Sequence, residues 1–154
     1  MFNGPQLDLT LGLIKTKMKF TFTKFLIYWV PMLVWMAGIF FTSSLTPMET
    51  DVLTSRFPSL INEVSIHTGE FAVLSVLTFR VLRAYGSMQT SMLWIVTLMV
   101  SIIYGVTDEL HQSFVPGRVP SWIDLGYDML GALIGLITVE LAIRSTSHFY
   151  DRAN

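Results

Sequence analysis

The sequence predicts an all-α polytopic membrane protein, a bundle of four transmembrane helices, from its composition and from its long uncharged runs. Of the 154 residues, 52% are hydrophobic and only 14% are charged, and the mean hydropathy is +0.56. Soluble proteins carry about 25% charged residues. One long uncharged run, residues 84–107, exceeds the roughly 20 residues that a helix needs to cross a hydrocarbon core of about 30 Å.

Apolar segments place the four spans at residues 25–44, 66–82, 90–109 and 122–143. The first contains Pro31, which predicts a kink. A lysine-rich leader before an apolar run is also typical of a signal peptide, but no small-residue cleavage site follows Phe41. We therefore expect an uncleaved membrane anchor. The second and fourth spans carry ionisable residues, which lower the hydropathy of these spans and are candidate functional residues.

The distribution of lysine and arginine predicts the orientation, because cytoplasmic loops of membrane proteins are enriched in these residues. Four lysines precede the first span, Arg80 and Arg83 lie near the turn between the second and third spans, and Arg144 and Arg152 follow the fourth. The other two loops carry one arginine each. Both termini are expected in the cytoplasm, with a leader at 1–24, a transmembrane domain at 25–143 and a tail at 144–154.

Charge and cysteine content exclude several classes of function. The formal net charge is -1, which argues against a nucleic-acid partner. There is no cysteine, so the chain has no disulfide, no thiolate nucleophile and no cysteine-type zinc site. Membrane lipids are the partners that the composition predicts, and no cofactor is indicated.

Polar and ionisable residues from three spans are expected to collect at the outer face. These residues are His67, Glu70, Asp108, Glu109, His111, Gln112, Arg118, Asp124 and Asp128. An unpaired charge at this depth is costly, so we expect one cluster in which Arg118 contacts at least one of these carboxylates.

Two histidine–carboxylate pairs stand out within this set. His67 and Glu70, like Asp108 and His111, are three residues apart and so share one helix face. Two such pairs facing each other are the arrangement that metal sites in helix bundles use. Spacing alone favours a hydrogen-bonded polar network over metal ligands, so no metal is predicted. A set of catalytic acids and bases stays open as an alternative.

The loop before the fourth span contains a turn and a helix start. Val115-Pro116-Gly117-Arg118 fits a type II turn, because proline suits the second position and glycine the third. Ser121 and Asp124 match a capping box, in which Ser121 caps the fourth span and Asp124 accepts the backbone N–H of Ser121.

Asp128 lies one turn beyond Asp124 on the same face, about 6 Å deeper in the membrane. A carboxylate at mid-membrane costs about 2.5–3.5 kcal/mol, less near the interface, so Asp128 should face inward and have a partner. Gly131 and Gly135 continue the same stripe. A Gly-x-x-x-Gly pair lets another helix approach closely, which makes these two glycines helix-packing positions.

The segment 105–118, GVTDELHQSFVPGR, followed by Asp124, Asp128, Gly131 and Gly135, resembles the signature of the VanZ-like family of small bacterial membrane proteins. Upstream, His67-x-x-Glu70-Phe71 is similar to that family's His-x-x-Glu-Tyr element. The resemblance covers about residues 25–143. It departs from the family at Phe71, which replaces a more usual tyrosine, and at Glu63 and Val64, where members often carry a basic residue.

This resemblance implies a multi-pass protein of the bacterial inner membrane, and the lysine and arginine distribution predicts that its active face lies outside the cytoplasm. Through the family's founding member it also implies a link to lowered susceptibility to the glycopeptide teicoplanin. It implies no known reaction.

Two hypotheses of different classes follow. In the first, a non-enzymatic envelope factor binds a lipid-linked cell-wall component or a glycopeptide in its polar pocket, with Arg118 as a two-pronged donor to an anionic group. In the second, an intramembrane hydrolase acts on a phospholipid or polyprenyl phosphate. The spacing of Arg118, Asp124 and Asp128 is similar to the Arg-x5-His-x3-Asp element of membrane lipid phosphatases. Asp124 stands where the nucleophilic histidine would be, so we favour the first hypothesis.

The orientation can be tested with reporter fusions. A reporter after Ser55 should lie outside the cytoplasm and a reporter after Tyr85 inside, because the basic residues flank the second of these loops. Alkaline phosphatase activity and green fluorescence of the two fusions give the sides, and the same side for both would contradict the predicted topology.

Overall fold

The computed structural model describes the backbone at residues 4–55, 62–86 and 88–153, and side chains at 21–55, 62–86 and 88–146. Within these residues all regular structure is helical. The five helices are α1 Gly4–Ser43, α2 Pro47–Thr54, α3 Glu63–Tyr85, α4 Thr90–Gln112 and α5 Trp122–Ala153. Four stretches are long and apolar enough to cross a membrane: Thr21–Ser43, Glu63–Tyr85, Thr90–Gln112 and Trp122–Thr146. The predicted fold class is confirmed.

The helix ends differ from the predicted spans for local reasons. α1 begins at Gly4, so most of the leader is helical, and it continues through Pro31. α3 begins at Glu63, before the predicted start at residue 66, because Asn62 caps it. The Asn62 side chain accepts the backbone N–H of Ser65 at 2.8 Å, and the Ser65 hydroxyl accepts the N–H of Asn62 at 2.9 Å. This reciprocal pair stabilises the first turn.

The short helix α2 was not predicted, although its sequence carries a clear start signal. Thr46-Pro47-Met48-Glu49 is a capping box with proline at the first helical position. The Glu49 carboxylate accepts the backbone N–H of Thr46 at 2.8 Å and its hydroxyl at 2.7 Å. The backbone hydrogen bond is the larger of the effects that hold the pKa of Glu49 below its ordinary value. The capping box thus marks the start of a helix within a segment that was predicted to be a loop.

The third helix occupies the centre of the bundle, where it contacts α1, α4 and α5. Between α1 and α3 lies an apolar core of Met32, Ile39, Phe71, Leu74 and Val81, and a second core joins Phe79, Leu93 and Leu136. Large apolar side chains also cover the outside of the spans, among them Val34, Phe41, Ile103 and Leu141. An apolar exterior of this extent suits a lipid environment.

The contact between α3 and α5 depends on the two glycines that the sequence singled out. A Cβ atom at Gly131 would overlap the carbonyl oxygen of Thr68, and one at Gly135 would overlap the carbonyl oxygen of Ala72 and the hydroxyl of Ser75. The two backbones are therefore in direct contact, as small residues allow in membrane helices.

Gly135→Ala should destabilise the bundle by about 1–3 kcal/mol, because the added methyl group forces α5 away from α3. Gly126→Ala is the matched control on the same helix, since a Cβ there meets no described atom within 4 Å. The midpoint of thermal unfolding in detergent and the amount of protein in membranes should fall only for Gly135→Ala. Equal behaviour of the two variants would show that the close approach contributes little.

Candidate functional site

One end of the bundle, which we call the cavity end, is where α1 and α4 end and α3 and α5 begin. A cavity of about 920 Å³ opens there between the helix ends, α2 and the loop that joins α4 to α5. Five of the nine residues predicted to cluster lie on its wall: His67, Glu70, Gln112, Arg118 and Asp124. The other four are close by, but in different environments.

Three of these four residues, Asp108, Glu109 and Asp128, are buried in the bundle. The Nδ1 atom of His67 lies 2.9 Å from Oδ1 of Asp128, and both residues are buried. Glu109 of α4 is buried beside this pair. His67, Glu109 and Asp128 each offer one nitrogen or oxygen atom, and these atoms all lie within 4.8 Å of one another. The inward orientation predicted for Asp128 is confirmed, and its partner is His67.

Asp108 connects α4 to α1. Its Oδ1 accepts the Ser43 hydroxyl at 2.6 Å, and its Oδ2 accepts the side-chain amide of Gln112 at 3.0 Å. All three residues are buried. Both carboxylate oxygens are thus satisfied inside the protein, which gives Asp108 a role in holding the helices together.

Glu70 connects α3 to α1 in a similar way. Its Oε1 accepts the Thr42 hydroxyl at 2.8 Å, and its backbone carbonyl accepts the indole N–H of Trp35 at 2.9 Å. Because Glu70 also lies on the cavity wall, it can serve both packing and ligand contact.

The capping arrangement at α5 corrects the sequence analysis. The Ser121 hydroxyl accepts the N–H groups of Ile123 at 3.2 Å and Asp124 at 3.4 Å, as a capping residue does. The backbone N–H of Ser121, however, donates to Oε2 of Glu109 at 2.7 Å, not to Asp124. Glu109 satisfies this donor from another helix, so the Asp124 carboxylate remains on the cavity wall.

Arg118 has a different partner from those we expected. The predicted type II turn is confirmed, with Gly117 at φ +83° and the Arg118 N–H donating to the Val115 carbonyl at 3.1 Å. Within the described residues, Arg118 pairs with Glu63, at 3.8 Å, and with no carboxylate of the predicted cluster.

The guanidinium also donates to the Leu45 carbonyl at 3.2 Å and to the Thr50 hydroxyl at 3.1 Å. The family pattern identified Arg118 as a site residue. Its partners Leu45 and Thr50 lie in the loop after α1 and in α2, and no sequence pattern predicted these contacts.

His111 lies away from the cavity wall. Its Nε2 atom is 3.0 Å from the Ser44 hydroxyl, and its ring stacks on Phe40 with a centroid distance of 4.1 Å. Three hydroxyl residues at the end of α1, Thr42, Ser43 and Ser44, thus each contact one predicted site residue. The sequence analysis missed them, although a run of three hydroxyls at the end of an apolar span was a usable signal.

The helices and the cavity define a class: a polytopic helical membrane protein whose bundle has, at one end, a cavity lined by several carboxylates. A family model described as VanZ/LLP1 matches residues 25–143, which is more than half of the chain. The chain belongs to the VanZ-like family, as the resemblance implied. A search of curated proteins and a search of solved structures each gave no match.

Ser43→Ala should lower the free energy of unfolding by about 1–3 kcal/mol, because it leaves a buried oxygen of Asp108 without its donor. The neighbouring Ser44→Ala is the control, since Ser44 is exposed and surface changes usually stay within about 0.5 kcal/mol. Thermal unfolding in detergent compares them. If Ser43→Ala were as stable as Ser44→Ala, the hydrogen bond between Ser43 and Asp108 would not contribute to holding α1 against α4.

Proposed function

We propose that this VanZ-like protein binds an amphiphilic component of the bacterial envelope in the cavity, and that the ligand is a lipid-linked cell-wall component or a glycopeptide such as teicoplanin. The observation that best supports this is the cavity itself, because its wall gathers residues of the family signature. Its volume of about 920 Å³ is within the roughly 300–1,000 Å³ usual for ligand pockets.

The charges on the wall indicate which ligand groups fit. Four carboxylates line the cavity, Asp51, Glu63, Glu70 and Asp124, against the two basic residues Arg118 and His67. Carboxylates accept hydrogen bonds, so this wall favours hydroxyl, amide or ammonium groups over a phosphate. Sugars and peptides carry such donors, and cell-wall components and glycopeptides contain both.

Arg118 then has a supporting role and does not act as the free two-pronged donor of our first hypothesis. Its contacts with Leu45, Thr50 and Glu63 join the α4–α5 loop to α2 and to the start of α3. It therefore fixes three parts of the cavity wall. The planar guanidinium suits this use, because its N–H groups point in several fixed directions.

The position of the cavity suits a ligand that arrives along the membrane. The cavity lies at the end of four apolar spans, and Phe114, just after α4, and Trp122, at the start of α5, are both exposed. Exposed aromatic residues at span ends are typical of the membrane–water interface. A polar head group could enter the cavity while its hydrocarbon part stays along the apolar surface of the spans.

A second candidate is the hydrolase, and one observation favours it. The 2.9 Å contact between His67 and Asp128 is the kind by which a carboxylate orients an imidazole as a general base. His67 lies on the cavity wall, so it could take a proton from a water molecule that attacks a phosphate or ester. Release of phosphate or fatty acid from lipid vesicles by purified protein would separate this activity from binding alone.

Asp124→Asn tests the binding proposal, because it removes one negative charge from the wall and keeps the shape of the side chain. A hydrogen bond to a charged group contributes about 1.5–3 kcal/mol, so affinity should fall about tenfold or more. Binding of teicoplanin to the purified protein and the minimum inhibitory concentration in a susceptible host should both fall. The control is Glu140→Gln, whose carboxylate pairs with Arg144 at the opposite end of α5.

Membrane levels of each variant are measured beside the inhibitory concentration. Equal binding by Asp124→Asn and wild type would remove the cavity as the ligand site. A wild-type protein that gives no shift in susceptibility and no teicoplanin binding would leave lipid-linked cell-wall components, tested by the same binding assay, as the remaining ligand class.

A further inference from the structure

Three helices bring a histidine and two carboxylates together inside the bundle. His67 comes from α3, Glu109 from α4 and Asp128 from α5, and their exposed fractions are 5%, 9% and 1%. One donor atom from each residue lies within 4.8 Å of the other two. Buried ionisable groups this close need partners that offset their loss of hydration.

Those partners are incomplete within the described residues. Oδ2 of Asp128 and Oε1 of Glu109 are buried without any hydrogen-bond partner. Among the side chains that the structure describes, His67 is the only basic one in an ion pair with either carboxylate, and it pairs with Asp128. A buried, unpartnered carboxylate oxygen is rare in proteins and calls for a positive group nearby.

We propose that His67, Glu109 and Asp128 bind one divalent first-row transition-metal ion, for which Zn²⁺ is the best match. Zinc accepts both imidazole nitrogen and carboxylate oxygen, and sites with three protein ligands keep a fourth position open. Magnesium and calcium prefer sites made of oxygen ligands. The sequence analysis predicted no metal because histidine–carboxylate spacing alone is a weak signal. It grouped His67 with Glu70, whereas in the folded chain His67 contacts Asp128 and lies within 4.8 Å of a carboxylate oxygen of Glu109.

The distances suit this ion after a small adjustment. Ligands at about 2.0–2.2 Å from zinc lie about 3–3.5 Å from one another, and His67 and Asp128 already approach to 2.9 Å. The three donor atoms lie at most 4.8 Å apart, so the Glu109 oxygen has to move about 1 Å or somewhat more toward the other two. Rotation of the glutamate side chain can supply this movement.

Gly105 provides space for the Asp128 carboxylate. A Cβ at Gly105 would lie 2.9 Å from Oδ2 of Asp128 and 2.8 Å from Cδ1 of Leu125. Gly105→Ala would therefore displace the carboxylate without removing a ligand. This glycine gives a means of testing the geometry of the site separately from its chemistry.

The metal site goes beyond the proposed binding function and can hold or fail independently of it. The cavity and the metal site share His67, which lies on the cavity wall, while Glu109 and Asp128 belong to the metal site alone. Metal binding is measured without any envelope ligand, so a loss of teicoplanin binding in Asp124→Asn and a loss of zinc binding in Glu109→Gln are separate outcomes.

The experiment uses the full chain in detergent, stripped with a chelator and titrated with Zn²⁺ by calorimetry, with bound metal counted by mass spectrometry. One zinc per chain is expected. Glu109→Gln and Asp128→Asn should each weaken binding at least tenfold and Gly105→Ala should weaken it measurably, whereas Glu140→Gln should match wild type. Mg²⁺ at the same concentration should give no comparable binding.

A second measurement remains informative if a variant fails to fold. Co²⁺ in place of zinc should give the visible absorption of a four- or five-coordinate ion in the wild-type protein, and Zn²⁺ should remove that absorption. A folded wild type that binds neither ion overturns the proposal and leaves a proton shared between the two carboxyl groups. Zinc binding that persists unchanged in both Glu109→Gln and Asp128→Asn also overturns it.

Discussion

The backbone contact between α3 and α5 sets the register on which the polar groups of the bundle depend. Gly131 meets the carbonyl of Thr68, and Gly135, one turn later, meets the carbonyl of Ala72. His67 precedes Thr68, and Asp128 lies one turn before Gly131. The glycine contact therefore places the imidazole and the carboxylate opposite each other. A larger side chain at either glycine would separate the helices and with them the buried pair, so packing and polar chemistry share one cause.

Three carboxylates at the cavity end accept hydrogen bonds from uncharged donors outside their own helix. Hydroxyls at the end of α1 reach Glu70 and Asp108, and the backbone N–H before α5 reaches Glu109. In a membrane, such bonds replace hydration that the surroundings cannot supply. They also fix the ends of four helices relative to one another, which gives the cavity a defined shape before any ligand enters.

Much of the fold could be predicted from the sequence, because the features concerned depend on residues close together in the chain. The spans follow from apolar runs, the turn at Gly117 from a proline–glycine pair, and the inward face of α5 from the spacing of Asp128, Gly131 and Gly135. Partners in distant segments could not be predicted in this way. Arg118 contacts Leu45 and Thr50 across more than 60 residues of sequence, and spacing within one helix carries no information on which side chain faces it from another.

Asp124 shows how a partner from a distant segment changes which side chains face the cavity. A capping box would have satisfied the Asp124 carboxylate locally and removed it from any site. Because Glu109 accepts the Ser121 N–H instead, Asp124 remains on the cavity wall. The same contact uses one oxygen of Glu109 and leaves its other oxygen buried without a partner, in a carboxylate that lies close to His67 and Asp128. This long-range hydrogen bond thus leaves Asp124 facing the cavity, while Glu109 is enclosed in the bundle with Asp128. His67 lies on the cavity wall and also contacts Asp128.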